Sequence, residues 1–213
     1  MVLTLHYYPG NASLTPHLLL RELGLPFTLQ LVDRNQNAQK SPAYLQLNPN
    51  GLIPVLQDGD LVLYETAAIV LHLVDTHPEA GLAPAVGTPE RAQFYKWLLW
   101  LSGIQALAPH YFYAERLVLP GNEAGAAEVR AQAEAKIAAL VDQIDDRLAA
   151  QPWMGGQAFS ALDPYTLMLC RWTRGMQRPA RSLPHIGPYL QRLLQRPAVQ
   201  QTMAAEGLQA PWV

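Results

Sequence analysis

Apolar and polar residues alternate along Val2–Tyr7, and β-forming residues return along Phe27–Val32, so both runs predict strands. Pro9-Gly10 closes the first. Between them Leu18–Leu23 reads as a helix, with Asn11, Ser13 and Thr15 as competent N-caps and Gly24-Leu25-Pro26 as the stop. Pro16 is acceptable only in the first turn of that helix. Strand, helix, strand predicts a βαβ unit with parallel strands. Asp33–Ser41 is polar and loop-like, and Pro42–Leu47 predicts one irregular helical turn. Asp58-Gly59 then separates the strand-like runs Pro54–Gln57 and Leu61–Tyr64, the strongest short-range hairpin signal. Ala67, Ile69, Val70, Leu71, Leu73 and Val74 predict a largely buried helix directly after Glu65-Thr66.

Pro78–Pro89 is rich in Pro, Gly and Ala and reads as a linker, and the pattern beyond it is helical throughout. Glu90–Leu117 predicts a long aromatic helix, broken or bent near Pro109. Glu123–Ala149 predicts an amphipathic helix capped by Asn122, with Ile137, Leu140, Val141, Ile144 and Leu148 on its apolar face. Ser160 and Asp163 have capping-box spacing, with Phe159 placed to staple the entry to the next helix. Two shorter helices are expected near Pro188–Gln195 and Pro197–Ala205.

Composition narrows the function classes. Half of the 213 residues are hydrophobic and 15% are charged, which places the chain among globular proteins. A net charge of −2 gives no reason to expect nucleic acid or an anionic membrane as partner, although arginines cluster mildly between Arg171 and Arg196. The single cysteine, Cys170, permits neither an internal disulfide nor a cysteine metal cluster and fits a reducing compartment. The N-terminus is too short and polar for a signal peptide, and no apolar run approaches the roughly 20 residues that span a bilayer. His6, His17, His72, His77, His110 and His185 show no metal-ligand spacing, so no metal is expected. A soluble, cytoplasmic protein is the expectation.

The chemistry concentrates in Asn48–Asp75. Ile53-Pro54 precedes the apolar pair Val55-Leu56, where a proline interrupts strand pairing. A cis bond there costs about 0.5–1 kcal/mol and would leave the backbone of Ile53 free to pair with an extended ligand. Thr66 and the first helical turn offer N–H donors and a positive dipole end to a carboxylate, while Glu65 can hold an ammonium. A small zwitterionic peptide fits these groups. A hairpin joined to a capped helix is the plainer alternative.

In order and spacing, the Pro, the hairpin and Glu65-Thr66 resemble the glutathione-binding half of cytosolic glutathione transferases. The resemblance covers nearly the whole chain. It is closest to the bacterial beta-type enzymes through Tyr8-Pro9-Gly10, Ser13-Leu14, Pro16-His17, Leu20-Arg21-Glu22, Cys170-Arg171-Trp172 and Ala205-Glu206-Gly207-Leu208. It implies an α/β thioredoxin-like N-terminal domain (1–78), a linker (79–89) and an all-α C-terminal domain (90–213). It also implies a homodimer, glutathione as co-substrate and a small hydrophobic electrophile as second substrate. The implied activity is detoxifying conjugation of the glutathione thiolate. A glutathione-dependent peroxidase or disulfide reductase, or a non-catalytic glutathione-binding or protein-interaction member, is the alternative.

By resemblance, Ile53 with cis Pro54 binds the cysteinyl part of glutathione, and Glu65 and Thr66 hold the γ-glutamyl end. Ser13 is the first candidate to stabilise the thiolate, Asn11 the second, and Tyr7 or Tyr8 the third. Two positions depart from the pattern. Ala12 stands where beta-type enzymes carry cysteine, which removes the possibility of a mixed disulfide there. Leu52 stands in the glutathione-binding segment where many relatives carry a Gln or Lys for the glycine carboxylate, leaving Gln36, Arg34 or Lys40 to compensate. Tyr8, His110, Tyr111, Tyr113, Trp172 and Met176 are the implied electrophile pocket, between the domains.

Overall fold

The computed structural model describes residues 3–213; Val2, expected to open the first strand, lies outside them. The strands are β1 Leu3–Tyr7, β2 Phe27–Leu31, β3 Val55–Asp58 and β4 Leu61–Tyr64. The helices are α1 Leu14–Glu22, α2 Pro42–Leu47, α3 Thr66–Thr76, α4 Pro89–Phe112, α5 Glu123–Ala150, α6 Leu162–Trp172, α7 Ile186–Leu194 and α8 Pro197–Ala205. They pack as two units. One takes in the described residues through Ala92 together with Leu193–Trp212; the other is Gln93–Arg192 with Val213.

The first unit is built on a four-stranded sheet of order β2-β1-β3-β4. β1 and β2 are parallel, with Leu5 opposite Leu29, as the βαβ pattern predicts. β3 runs antiparallel to β1, with Leu56 opposite Leu5, and β4 returns antiparallel to β3 from Asp58↔Leu61 to Val55↔Tyr64. Leu5, Leu56, Leu18, Leu19, Ile69 and Leu73 are fully or almost fully buried, and each contributes about 1.5–3 kcal/mol of burial. α8 packs on α1, and Arg196 at its start grips Glu22 through two bonds of 2.6 and 2.7 Å.

α1 differs from expectation in its start. It begins at Leu14, not Leu18, and Pro16 sits within the first turn, where its missing N–H costs no helical bond. Ser13 is the N-cap residue by position, yet its side chain makes no capping bond because it turns back to Tyr8.

In the second unit, α4 ends at Phe112 with Pro109 inside it, and a 3-10 turn covers Ala114–Leu117, so the long helix is shorter than its pattern. Asn122 caps α5, its side-chain oxygen accepting from the Gly125 N–H at 2.9 Å. The Ser160–Asp163 box forms: the Ser160 N–H donates to Asp163 Oδ2 at 2.7 Å and the Leu162 N–H to Ser160 Oγ at 3.3 Å. Asp163 also accepts from the Met154 N–H and the Tyr189 hydroxyl, which ties α6 and α7 to the preceding loop. Asp145 on α5 accepts the N–H groups of His185 and Ile186 and so caps α7 from a distance. The arginines of the basic stretch serve as intramolecular staples, among them Arg178 on Asp142 and Arg192 on the Pro152 carbonyl.

Candidate functional site

Two turns of the first unit carry the groups singled out by sequence. The first joins β1 to α1. After Tyr7 the chain turns at Gly10, whose φ of 67° suits glycine, and the Asn11 N–H closes on the Tyr8 carbonyl at 3.1 Å. Ser13 is 0% exposed. Its hydroxyl accepts from the Tyr8 N–H and donates to the Tyr8 carbonyl, both at 3.2 Å, which occupies it with the main chain. Asn11 is half-buried, and its Oδ1 accepts the Ala12 N–H at 2.6 Å. That contact assigns the oxygen and leaves the amide NH2 as the donor end. Ala12 itself is buried.

A carboxylate far along the chain anchors this turn. Glu206, just beyond α8, accepts the Gly10 N–H at 2.8 Å on one oxygen and pairs with His17 Nδ1 at 2.7 Å on the other. His17 lies edge-on to Tyr7 with ring centres 6.2 Å apart. Partial burial, reinforced by the negative charge of Glu206, raises the Tyr7 phenol, so at neutral pH this hydroxyl keeps its proton.

The second turn runs from α2 through the start of α3. The β3–β4 ladder begins at Val55↔Tyr64, so Ile53 stands outside it, and its main chain makes no hydrogen bond among the described residues. The Ile53–Pro54 peptide is cis. The Ile53 side chain is buried with Val32, Tyr44 and Val55, with Tyr8 and Tyr64 packed against them. Glu65 is exposed and adopts φ 74°, ψ 118°, a left-handed backbone that costs a non-glycine residue about 1–3 kcal/mol and concentrates at functional positions. Thr66, buried, opens α3, whose first backbone bond runs from the Ile69 N–H to the Glu65 carbonyl at 3.0 Å.

Leu52 is 59% exposed, a lone apolar side chain beside these polar groups. Among the proposed substitutes, Lys40 donates to the Asn50 carbonyl at 3.1 Å, and the Arg34 guanidinium lies 5.7 Å from the Tyr8 ring centre. Lys40 is thus already on the loop that carries Leu52.

The electrophile candidates of the second unit gather around the end of α4. The Tyr111 hydroxyl donates to the Gly175 carbonyl at 3.2 Å, Met176 is buried, Trp172 is half-buried and His110 is exposed. Phe112, absent from the candidates, joins them: it is 41% exposed and meets Tyr111 and Trp172 edge-on at 5.2 and 6.2 Å. Its signal in the sequence is a place in the aromatic run Tyr111–Tyr113, which helical periodicity alone assigns to the core. Tyr8 belongs to the first unit. Among the described residues no group of His, Cys, Asp and Glu is arranged to hold a metal, and no helix is long and apolar enough to cross a membrane.

A βαβ unit followed by an antiparallel hairpin and a helix, with an unpaired residue before a cis proline, defines a thioredoxin-like domain, here joined to an all-helical region. Known proteins of this architecture match closely. The profile described as "Glutathione S-transferase, N-terminal domain" matches residues 12–76. Glutathione S-transferase GstA of Escherichia coli O157:H7 is 34% identical over 207 residues, covering 96% of this chain and 98% of that one. A glutathione transferase homologue from Sulfitobacter, solved with bound glutathione, superposes with a TM-score of 0.87 at 27% identity, over 98% of this chain and 99% of that one. A bacterial beta-class enzyme from Sphingomonas chungbukensis superposes at 0.79 with 31% identity, over 97% of this chain and 100% of that one. The chain belongs to the glutathione S-transferase family.

Proposed function

We propose that the protein is a glutathione transferase that binds glutathione across the Ile53–Thr66 segment and transfers its thiolate to small hydrophobic electrophiles. The observation that carries this reading is the unpaired main chain of Ile53 beside Glu65-Thr66 at the head of α3. An extended peptide there can exchange two backbone bonds with Ile53, rest its γ-glutamyl carboxylate on Thr66 and the first turn of α3, and place its ammonium by Glu65. Its cysteinyl sulfur then reaches the β1–α1 turn.

A free thiol has a pKa near 8.5, so catalysis at neutral pH requires a donor to the sulfur. Asn11 fits this role better than Ser13. The Ser13 hydroxyl is buried and committed to the main chain of Tyr8, whereas the Asn11 side chain is half-buried and oriented with its amide hydrogens unassigned. Rate then arises from positioning and thiolate stabilisation, with no covalent enzyme intermediate. For the glycine carboxylate, Lys40 is favoured by its contact beside Leu52. The aromatic group Tyr111, Phe112 and Trp172, with Met176, supplies the apolar surface an electrophile needs. The domain limits 1–78, 79–89 and 90–213, a homodimeric assembly and a cytoplasmic, detoxifying role complete the reading.

Peroxidase or disulfide-reductase chemistry is the second reading. It would depend on glutathione for every thiol, since Ala12 offers none and burial pushes the Cys170 thiol up to about 12. Retention on glutathione-agarose tests binding, and failure of a folded protein to bind sinks both readings. Assays with an aryl halide and with an organic hydroperoxide divide them: the proposal expects turnover of the halide to dominate.

A further inference from the structure

Two buried polar side chains converge on one carbonyl oxygen next to the residue proposed to pair with glutathione. The Tyr44 hydroxyl donates to the Leu52 carbonyl at 2.8 Å, and Asn48 Nδ2 donates to the same oxygen at 2.9 Å. Both donors are themselves held. Tyr44 packs among Val32, Ile53 and Val55 and edge-on to His6, and burial raises its phenol, so the hydroxyl remains a donor. Asn48 closes its own turn, its Oδ1 accepting from the Asn50 N–H at 3.0 Å and its carbonyl from the Gly51 N–H at 2.9 Å.

One donor would satisfy the carbonyl; two fix its direction, because each occupies one lone pair. The Leu52–Ile53 peptide is trans, the cis bonds among the described residues being Ile53–Pro54 and Ala210–Pro211. In a planar trans peptide the N–H points opposite to the C=O. Clamping the Leu52 carbonyl toward α2 therefore aims the Ile53 N–H away from it.

We infer that Tyr44 and Asn48 are positioning residues that hold the Ile53 N–H on the line required by the backbone carbonyl of a bound peptide. The inference rests on the reading that Ile53 pairs with glutathione. It makes recognition by the main chain depend on two side chains that never touch the ligand. The preorganised donor avoids the ordering cost that a mobile loop would levy on binding.

The test uses the full chain, with Tyr44→Phe and Asn48→Asp as single variants. Each removes one donor at nearly constant volume, and Asn48→Asp keeps the oxygen that accepts from Asn50. The expected result is a KM for glutathione raised about tenfold, with kcat at saturation changed less than about threefold and KM for the aryl halide unchanged. Amide exchange followed by NMR gives the direct readout: glutathione should slow exchange at Ile53 in the wild type and slow it much less in the variants. If glutathione binds the wild type without protecting Ile53, the reading of the site fails and the inference with it. If Ile53 is protected but the folded variants keep the wild-type KM, the positioning role alone is overturned. Should Asn48→Asp not fold, Tyr44→Phe decides by the same criteria.

Discussion

The two turns proposed to form the site differ in what they present to a ligand. The loop before β3 presents the main chain of Ile53, and the side chains of Tyr44 and Asn48 hold the carbonyl next to it. The β1–α1 turn presents a side chain, that of Asn11, and its main chain is held from within and from afar by the Ser13 hydroxyl on Tyr8 and the Glu206 carboxylate on Gly10. Recognition through the backbone survives many substitutions, provided the loop keeps its shape. Chemistry through one side chain changes with one residue, as Ala12 illustrates.

The sharpest way to break this contrast is at the anchor of the β1–α1 turn. Glu206→Ala would leave the Gly10 N–H and His17 without their shared acceptor in a buried place, at a cost of about 3 kcal/mol. Chemical denaturation should register that loss, with Glu206→Gln recovering part of it. An unchanged midpoint would mean that the turn is held by something else.

Next in size is Gly51→Ala. Gly51 has φ +60°, and a Cβ there would lie 2.7 Å from Lys40 Nζ and 2.8 Å from the Gln39 carbonyl oxygen. The expected destabilisation is about 1–3 kcal/mol, accompanied by weaker glutathione binding and an unaltered pKa for whatever thiol remains bound. A shift in that pKa would show that the two turns are not independent.

Leu52→Lys should have the smallest effect. The position is exposed, so stability should move by less than about 0.5 kcal/mol. A cation beside the glycine carboxylate should tighten glutathione a few-fold in low-salt calorimetry, and screening by salt should erase the gain. Tightening that persists at high salt would point to packing.

Local signals were legible in the sequence and distant ones were not. The βαβ pattern, the Asp58-Gly59 hairpin, the Asn122 cap and the Ser160–Asp163 box depend on residues close in sequence, and each forms. The start of α1 was misplaced because hydroxyl spacing marks possible caps, while the fold directs Ser13 toward Tyr8 instead. Pro16-His17 and Glu206 were visible as separate motifs, but their meeting spans 189 residues, and no periodicity reports such a contact. The same holds for Asp145, which caps α7 from 40 residues away at the His185 N–H. In the site, Glu65-Thr66 and Ile53-Pro54 were readable as a pattern; the choice between Asn11 and Ser13 depended on which hydrogen bonds the turn had already used.

That choice is open to one measurement. Titration of the ultraviolet thiolate absorbance of bound glutathione, in the wild type, Asn11→Ala and Ser13→Ala, reads the donor directly. Loss of a hydrogen bond to the thiolate raises the thiol pKa, so activity should fall more at pH 6.5 than at pH 8.5. For Asn11→Ala we expect a rise of about one unit, worth about 1.4 kcal/mol. Ser13→Ala should cost about 1 kcal/mol of stability and leave that pKa in place. A raised pKa in Ser13→Ala together with an unchanged one in Asn11→Ala would contradict the assignment.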